Sequence, residues 1–305
     1  QSKSLWKDLA LDLDLNLEQK GILMLYKSVA AAEEETRNAK IATDLGLENK
    51  VLSKDEVNAL ENVSVDVLGA VHYTCDAHLS PRSAMMALKN HLNRSGVALH
   101  SNSKVDRLEV LSKNRVEVCS NYTPQYFDEV VIASGSWSHQ LAKMLDFKLP
   151  LLPGKGYSIT IPKVQNHSTI PSILCEAKVA ISPFENDFRV SGTMELGGLN
   201  STVNSKRIDG IINSINQYYP NFDIKPLEVK NAWTGLRPCS PDGMPYIGTH
   251  PKFSNVKIAT GHGMMGLSLA PVTGLYISEI INSERKSIPN LEPNRFSYND
   301  STSRV

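Results

Sequence analysis

The alternation of apolar and polar positions changes texture several times along the chain. Residues 1–60 read as mostly helical, and residues 27–45 carry Ala30, Ala31, Ala32 and then Glu33, Glu34 and Glu35, all good helix formers with the charges expected on a solvated face. Ser53 followed by Glu56 fits a capping box and predicts a short helix to about Leu60. From Gly69 the texture becomes extended at residues 71–73. Ser80-Pro81 then offers an N-cap with proline at the first helical position. The helix it opens runs over residues 82–94, with apolar positions at Ala84, Met85, Leu88 and Leu92. Residues 97–100 predict a strand, and residues 104–111 and 115–120 an antiparallel pair. Residues 127–133 read as one apolar run, a strand expected to be buried on both faces.

The middle of the chain is different. Residues 157–161, 172–175, 179–182 and 188–192 are short, rich in β-branched residues and separated by turn residues. A helix over residues 205–219 places Ile208, Ile211, Ile212 and Ile215 on one face. Strands at 228–233 and 256–260 and a long helix at 267–283 follow, and the tail beyond Pro289 is polar and expected to fray. The pattern predicts a mixed α/β fold in which two domains share the chain. The divisions fall at residues 1–60, a helical opening; 61–150 and 233–290, two parts that would form one domain; 151–232, an antiparallel β domain; and 291–305, a tail.

Composition narrows the function classes. The 305 residues carry 32 Lys+Arg against 32 Asp+Glu, a balance that argues against nucleic acid as a partner. Apolar runs are interrupted by Gly, Pro or charge well short of the ~20 residues of a spanning helix, so none is expected. Cys75, Cys119, Cys175 and Cys239 show no CxxC spacing, which disfavours zinc and a disulfide framework and suits reduced thiols in a cytosolic protein.

Three segments carry candidate chemistry. In the first, a strand at 256–260 runs into Gly261-His262-Gly263-Met264-Met265-Gly266-Leu267, with three glycines in six residues before a helix. Glycine allows positive φ and close backbone approach, and amides at a helix start favour an anionic or electron-rich group. A tight strand-to-helix turn explains the same pattern. The acidic residue that a dinucleotide fingerprint wants at the end of a second strand is absent, because Glu279 falls inside a helix. In the second, residues 233–248 hold three prolines and three glycines around Arg237, which leaves an apolar strand. A buried guanidinium needs a carboxylate, a phosphate or a cage of carbonyls, and spacing alone favours a pair with Asp242 over a substrate carboxylate. In the third, a strand ends in Ala133-Ser134-Gly135-Ser136-Trp137, small residues that admit either a ligand or close packing.

Taken together and in this order, the three segments resemble the D-amino-acid oxidase family of flavoproteins, most nearly its D-amino-acid dehydrogenase and glycine oxidase branches. Asp76-Ala77-His78-Leu79-Ser80-Pro81 and Pro153-Gly154-Lys155-Gly156-Tyr157 also match family segments, so the resemblance covers nearly the whole chain. It implies FAD as cofactor in a Rossmann-like domain interleaved with an antiparallel substrate domain. Val105, Ala133, Gly135, Trp137, Gly261, His262, Gly263, Met264, Met265, Gly266 and Leu267 would lie along FAD. Arg237 would be the catalytic anchor for the substrate carboxylate, with Tyr157 and Tyr246 as further substrate contacts. The implied reaction is hydride transfer from a D-amino acid to the flavin, giving a 2-oxo acid and ammonia. A glycine or sarcosine oxidase is the rival.

The partners implied are a small amino acid and an electron acceptor, either a quinone of a respiratory chain or O2. The implied location is the cytoplasm, with peripheral association at the inner face of a membrane. The family's opening strand, Gly-x-Gly-x-x-Gly and acidic residue have no counterpart in residues 1–50. The chain thus resembles the family without its N-terminal βαβ unit, and the polypeptide from Gln1 is expected to be a piece of a longer protein that on its own binds FAD weakly and is inactive.

Overall fold

A computed structural model describes residues 1–61, 63–162, 168–184, 187–221 and 232–296. The chain opens with α1 (Ser2–Asp12), β1 (Leu17–Glu18), β2 (Ile22–Tyr26), α2 (Val29–Asp44), β3 (Lys50–Ser53) and α3 (Lys54–Leu60). Then come β4 (Gly69–Tyr73), β5 (His78–Leu79) and α4 (Pro81–Arg94), followed by the meander β6 (Val105–Ser112), β7 (Arg115–Ser120) and β8 (Thr123–Phe127). After β9 (Val130–Ile132), a 3-10 turn at Gly135–Trp137 leads into α5 (Ser138–Met144). The middle is β10 (Leu152–Pro162), β11 (Ser172–Leu174), β12 (Val179–Pro183), β13 (Asp187–Leu196), α6 (Ser205–Tyr218) and β14 (Ala232–Cys239). β15 (Tyr246–Thr249) and β16 (Val256–Thr260) precede a second 3-10 turn, Gly263–Met265, and α7 (Gly266–Ile281).

An eight-stranded sheet dominates, in the order β14-β10-β13-β12-β11-β2-β4-β3, antiparallel except where β11 runs parallel to β2. Strand alternation sorts its side chains. Tyr157, Ile159, Ile181, Phe188 and Val190 point to one face, where Ile208, Ile211, Ile212 and Ile215 of α6 cover them in the largest core. A second core joins Ile132, Val256 and Ile258 of the small sheet β15-β16-β9 to Leu108 and Val116 of the meander.

Several expectations change. Residues 1–60 are not only helical: the apolar stretch Ile22–Tyr26 is a strand inside the large sheet, with β3 at its edge. Glu33 and Glu34 face solvent, but Glu35 is buried beside Cys175, and burial raises its carboxyl pKa. Residues 97–100 join no ladder and leave Val97 and Leu99 exposed. The run at 127–133 is split at Asp128-Glu129 into β8 and β9, and β9 exposes Val131 instead of being buried on both faces. The strand expected at 228–233 lies outside the described residues up to position 231, and from Ala232 it belongs to β14. The expected fraying past Pro289 also fails as far as residue 296, since Arg295 and Phe296 pack on Tyr246.

The absence of a spanning-length apolar helix is corrected too. The helical stretch Gly263–Ile281 has 19 residues and a mean hydropathy of 1.4, long and apolar enough to cross a membrane by length and composition. Pro271 and Gly274, read as breaks, sit inside the helix, because a proline's missing N–H removes one bond without ending a helix packed on its neighbours. Here α7 packs against α1 and β15.

Candidate active site

The second face of the large sheet is the wall of a cavity of about 620 Å³, a volume typical of small-molecule sites. Alternation brings Gly156 and Ser158 of β10, Arg189 and Ser191 of β13, and Trp233, Gly235 and Arg237 of β14 onto this face. His78 and Leu79 of β5, Lys3 and Trp6 of α1, and Gly263 and Leu267 at the start of α7 close it. The Trp6 indole donates to the Leu267 carbonyl at 2.9 Å, and the Ser2 hydroxyl donates to that of Ser268, so α1 is tied to the glycine turn.

Arg237 reaches from β14 across Gly156, where a Cβ would stand 2.1 Å from its guanidinium. Glycine is required there because any side chain would occupy the arginine's place. The guanidinium donates to the Thr193 carbonyl at 3.0 Å. Thr193 has φ 71°, a strained value for a β-branched residue, next to the register shift between Lys155 and Tyr157. The bulge turns this carbonyl toward Arg237. Burial lowers the Arg237 pKa, and among the described residues no carboxylate lies within ion-pair distance. The expected pair with Asp242 does not form. Asp242 instead takes a two-pronged contact from Arg295, at 2.8 and 2.9 Å, and that guanidinium also donates to the Met244 and Pro245 carbonyls. The loop after Arg237 is therefore locked by a residue more than fifty positions away, which leaves Arg237 facing the cavity.

Of the two tyrosines, Tyr157 lines the cavity and Tyr246 does not. Tyr157 borders the cavity, but its side chain is 1 % exposed within the main core, and its hydroxyl donates to Glu195 at 2.9 Å. The reason is the alternation of β10, which gives the cavity to Gly156 and Ser158. Tyr246 lies in the second core, donates to the Pro150 carbonyl at 2.8 Å and stacks under Arg295. Neither hydroxyl contacts the cavity.

Beside the cavity, the parallel pair β9–β16 brings two turns together, one with Ala133, Gly135 and Trp137, the other from Gly261 to Leu267. Gly135, Gly261 and Gly263 all have positive φ, and a Cβ on Gly135 or Gly263 would meet open space. No side chain caps the Gly263–Met265 turn or α7, and Met264 and Met265 are exposed. The turns are tied to the Arg237 strand. Ser136 donates to the Leu236 carbonyl, Thr260 to that of Gly135, and Cys239 bridges to His262. His262 shares a 2.9 Å hydrogen bond with Thr273, and burial lowers its pKa, so its imidazole is a neutral, structural group. Val105 stands apart, at the start of the meander. His78 is also held below the usual histidine pKa by burial, although Glu18 lies 3.9 Å away.

Sequence reasoning missed that Arg189, Trp233 and His78 line the cavity. The first was legible: Phe188-Arg189-Val190-Ser191 alternates strictly, and the face opposite Phe188 and Val190 had to be lined by Arg189.

A family model described as FAD dependent oxidoreductase (DAO) matches residues 1–280, and the chain belongs to this family. Its relatives include the D-amino acid dehydrogenase of Vibrio atlanticus (strain LGP32), 29% identical over 91% of this chain and 67% of the relative. The D-amino acid dehydrogenase of Neisseria gonorrhoeae (strain NCCP11945) is 28% identical over 94% of this chain and 70% of the relative. Among solved structures, glycine oxidase from Geobacillus kaustophilus superposes with a TM-score of 0.87 at 22% identity, over 94% of this chain and 79% of that one. The mixed α/β fold is thus that of FAD-binding oxidoreductases, and FAD is the cofactor. The paired turns suit it: open space over Gly135 and Gly263, positive φ at Gly261 and an uncapped helix start form a cradle for a flat, electron-rich ring.

Proposed function

We propose that the protein oxidatively deaminates a D-amino acid to a 2-oxo acid and ammonia. The observation that carries this reading is Arg237, a half-buried guanidinium on a strand of the large sheet that faces the cavity without a protein carboxylate within ion-pair distance among the described residues. Such a group fits a substrate carboxylate as a two-pronged partner. The relatives named D-amino acid dehydrogenase support the choice of substrate.

Bound FAD would supply the hydride acceptor. The chain's own residues then do the rest. Arg237 fixes the carboxylate, and with it the direction in which the Cα–H bond points. Trp6 and Leu79, both buried, give the cavity an apolar wall beside the substrate. The amides of Gly263 and Met264, in the turn that leads into α7, favour negative charge on the cofactor's ring, whereas the Met265 amide, expected to join them, is spent on the His262 carbonyl at 2.9 Å. Ala133, Gly135, Trp137, Gly261, Gly266 and Leu267 would complete the cofactor cradle, and the adenine contact of Val105 rests on the family resemblance alone.

Dye reduction by the FAD-loaded protein tests the reading. D-amino acids should reduce the dye, and their L-isomers should not. A preference for L-isomers would overturn the substrate assignment and leave FAD chemistry in place.

A further inference from the structure

Resting on the reading of Arg237 as the carboxylate anchor, we propose that Glu195 is a positioning residue for it. The Glu195 carboxylate clamps Lys155 and Tyr157 behind the bulge of the large sheet, and the clamp holds the Thr193 carbonyl that aims the guanidinium into the cavity.

On the cavity face, Arg237 crosses β10 over Gly156 and ends at the Thr193 carbonyl of β13. Lys155 pairs with Glu195 but Tyr157 pairs with Gly192, so Thr193 and Met194 together stand against Gly156. The extra residue is the bulge. In a regular antiparallel ladder the Thr193 carbonyl would point along the sheet at a neighbouring strand. The bulge and a φ of 71° turn it instead to the Arg237 guanidinium, 3.0 Å away. Among the described residues this is the guanidinium's one hydrogen bond, so it decides the direction of the group.

On the opposite face, Lys155 and Tyr157 flank Gly156, and alternation turns both side chains away from the cavity. They meet the same carboxylate, one oxygen each. The Lys155 ammonium lies 2.9 Å from Glu195 Oε1, and the Tyr157 hydroxyl donates to Oε2 at 2.9 Å. Both side chains are buried, and Lys155 also donates to the Thr202 carbonyl at 3.2 Å. Their hydrogen bonding raises the Lys155 pKa and lowers that of Glu195, so both are charged at neutral pH. Arg207 of α6, 3.6 Å from Oε2, is exposed and adds little. Glu195 follows the bulged pair directly, so one side chain spans the shift in register and ties β13 to β10 on both sides of Gly156. Taking the Lys155 ammonium out of water offsets much of what the pair would add to stability. Its contribution is the geometry it fixes.

Calorimetric titration of the FAD-loaded protein with valerate, a carboxylate without an amine, reads the anchor without turnover. Glu195→Gln should weaken valerate binding at least about threefold, because a carboxamide cannot accept from both partners as a charged carboxylate does. Tyr157→Phe, which removes one hydroxyl from the clamp, should act in the same direction. In the Arg237→Lys background, Glu195→Gln should change the affinity by less than about twofold, because the planar fork that it positions is gone. A residue that only stabilises the fold would leave valerate affinity unmoved or would weaken it alike in both backgrounds. Either result for a well-folded Glu195→Gln variant overturns the proposal. If Glu195→Gln does not fold, Tyr157→Phe alone and combined with Arg237→Lys decides by the same two criteria. No valerate binding, or an Arg237→Lys variant that binds valerate as the unmodified protein does, removes the anchor and the proposal with it.

Discussion

The two walls of the cavity are built on different terms. On the substrate side, β10, β13 and β14 lie in an eight-stranded sheet whose other face is sealed by α6 over a continuous apolar core. On the cofactor side, the glycine turns hang from a three-stranded sheet with β9 at its edge, and Val97, Leu99, Val131, Met264 and Met265 are exposed. Only 11% of the apolar window within Gly263–Ile281 is buried. The contrast shows where rigidity resides. Arg237 and Arg189 are held by strands whose register cannot slip without inverting a buried face. The turns proposed to hold the flavin are held by a few tethers: Ser136 to Leu236, Thr260 to Gly135, and Trp6 to Leu267.

The largest expected effect breaks the comparison at its strong side. Ile212→Ala removes a fully buried side chain from under the large sheet and should cost about 2–5 kcal/mol in denaturant unfolding. Met264→Ala, at a residue 72% exposed on the other side, should stay within about 0.5 kcal/mol. Similar losses for the two would erase the distinction.

Gly156→Ala sharpens it next. The added Cβ meets the mobile end of Arg237 rather than backbone, so the fold should survive. Substrate affinity should fall by about 1.4–2.8 kcal/mol, read as a rise in KM of roughly ten- to hundredfold. An unchanged KM would remove the guanidinium from the binding position.

The smallest effect lies in the loop that joins the two walls. Arg295 holds the Asp242 carboxyl at a pKa of about 2, below the 3.8 of an ordinary aspartate. Its folded value is depressed, so its contribution is complete above the unfolded pKa and is lost as pH falls through about 2. The Asp242 side chain is 34% exposed, and screening reduces the contribution to about 1 kcal/mol. Asp242→Asn should therefore lower stability by about that amount at neutral pH and flatten the acid limb of the stability curve. A variant with an unaltered acid limb would show that the pair contributes nothing.

Much of this frame was legible in local signals. The Ser53–Glu56 capping box, the Ser80-Pro81 helix start and the isoleucine stripe of α6 all fold as their patterns predict, because each is a short-range physical preference. The strand β2 was not legible, because a five-residue apolar run between helical stretches has no period that separates strand from buried helix. The fate of Asp242 could not be read either. Its partner Arg295 is brought in by the tertiary fold, and local spacing pointed to Arg237 instead. The direction of the Tyr157 side chain was missed for a simpler reason. Tyr157 follows a glycine that faces the cavity, so strand alternation turns Tyr157 away.

The most direct test of the central claim is a paired measurement on Arg237→Lys with FAD present: KM for a D-amino acid, and flavin affinity by fluorescence. Lysine keeps the charge but not the planar fork. KM should rise by at least about tenfold, the scale of a lost charge-assisted hydrogen bond, while flavin affinity stays within about twofold. A well-folded variant with unchanged KM, or one whose flavin affinity falls in step with its KM, would contradict the assignment of Arg237 as the substrate's carboxylate anchor.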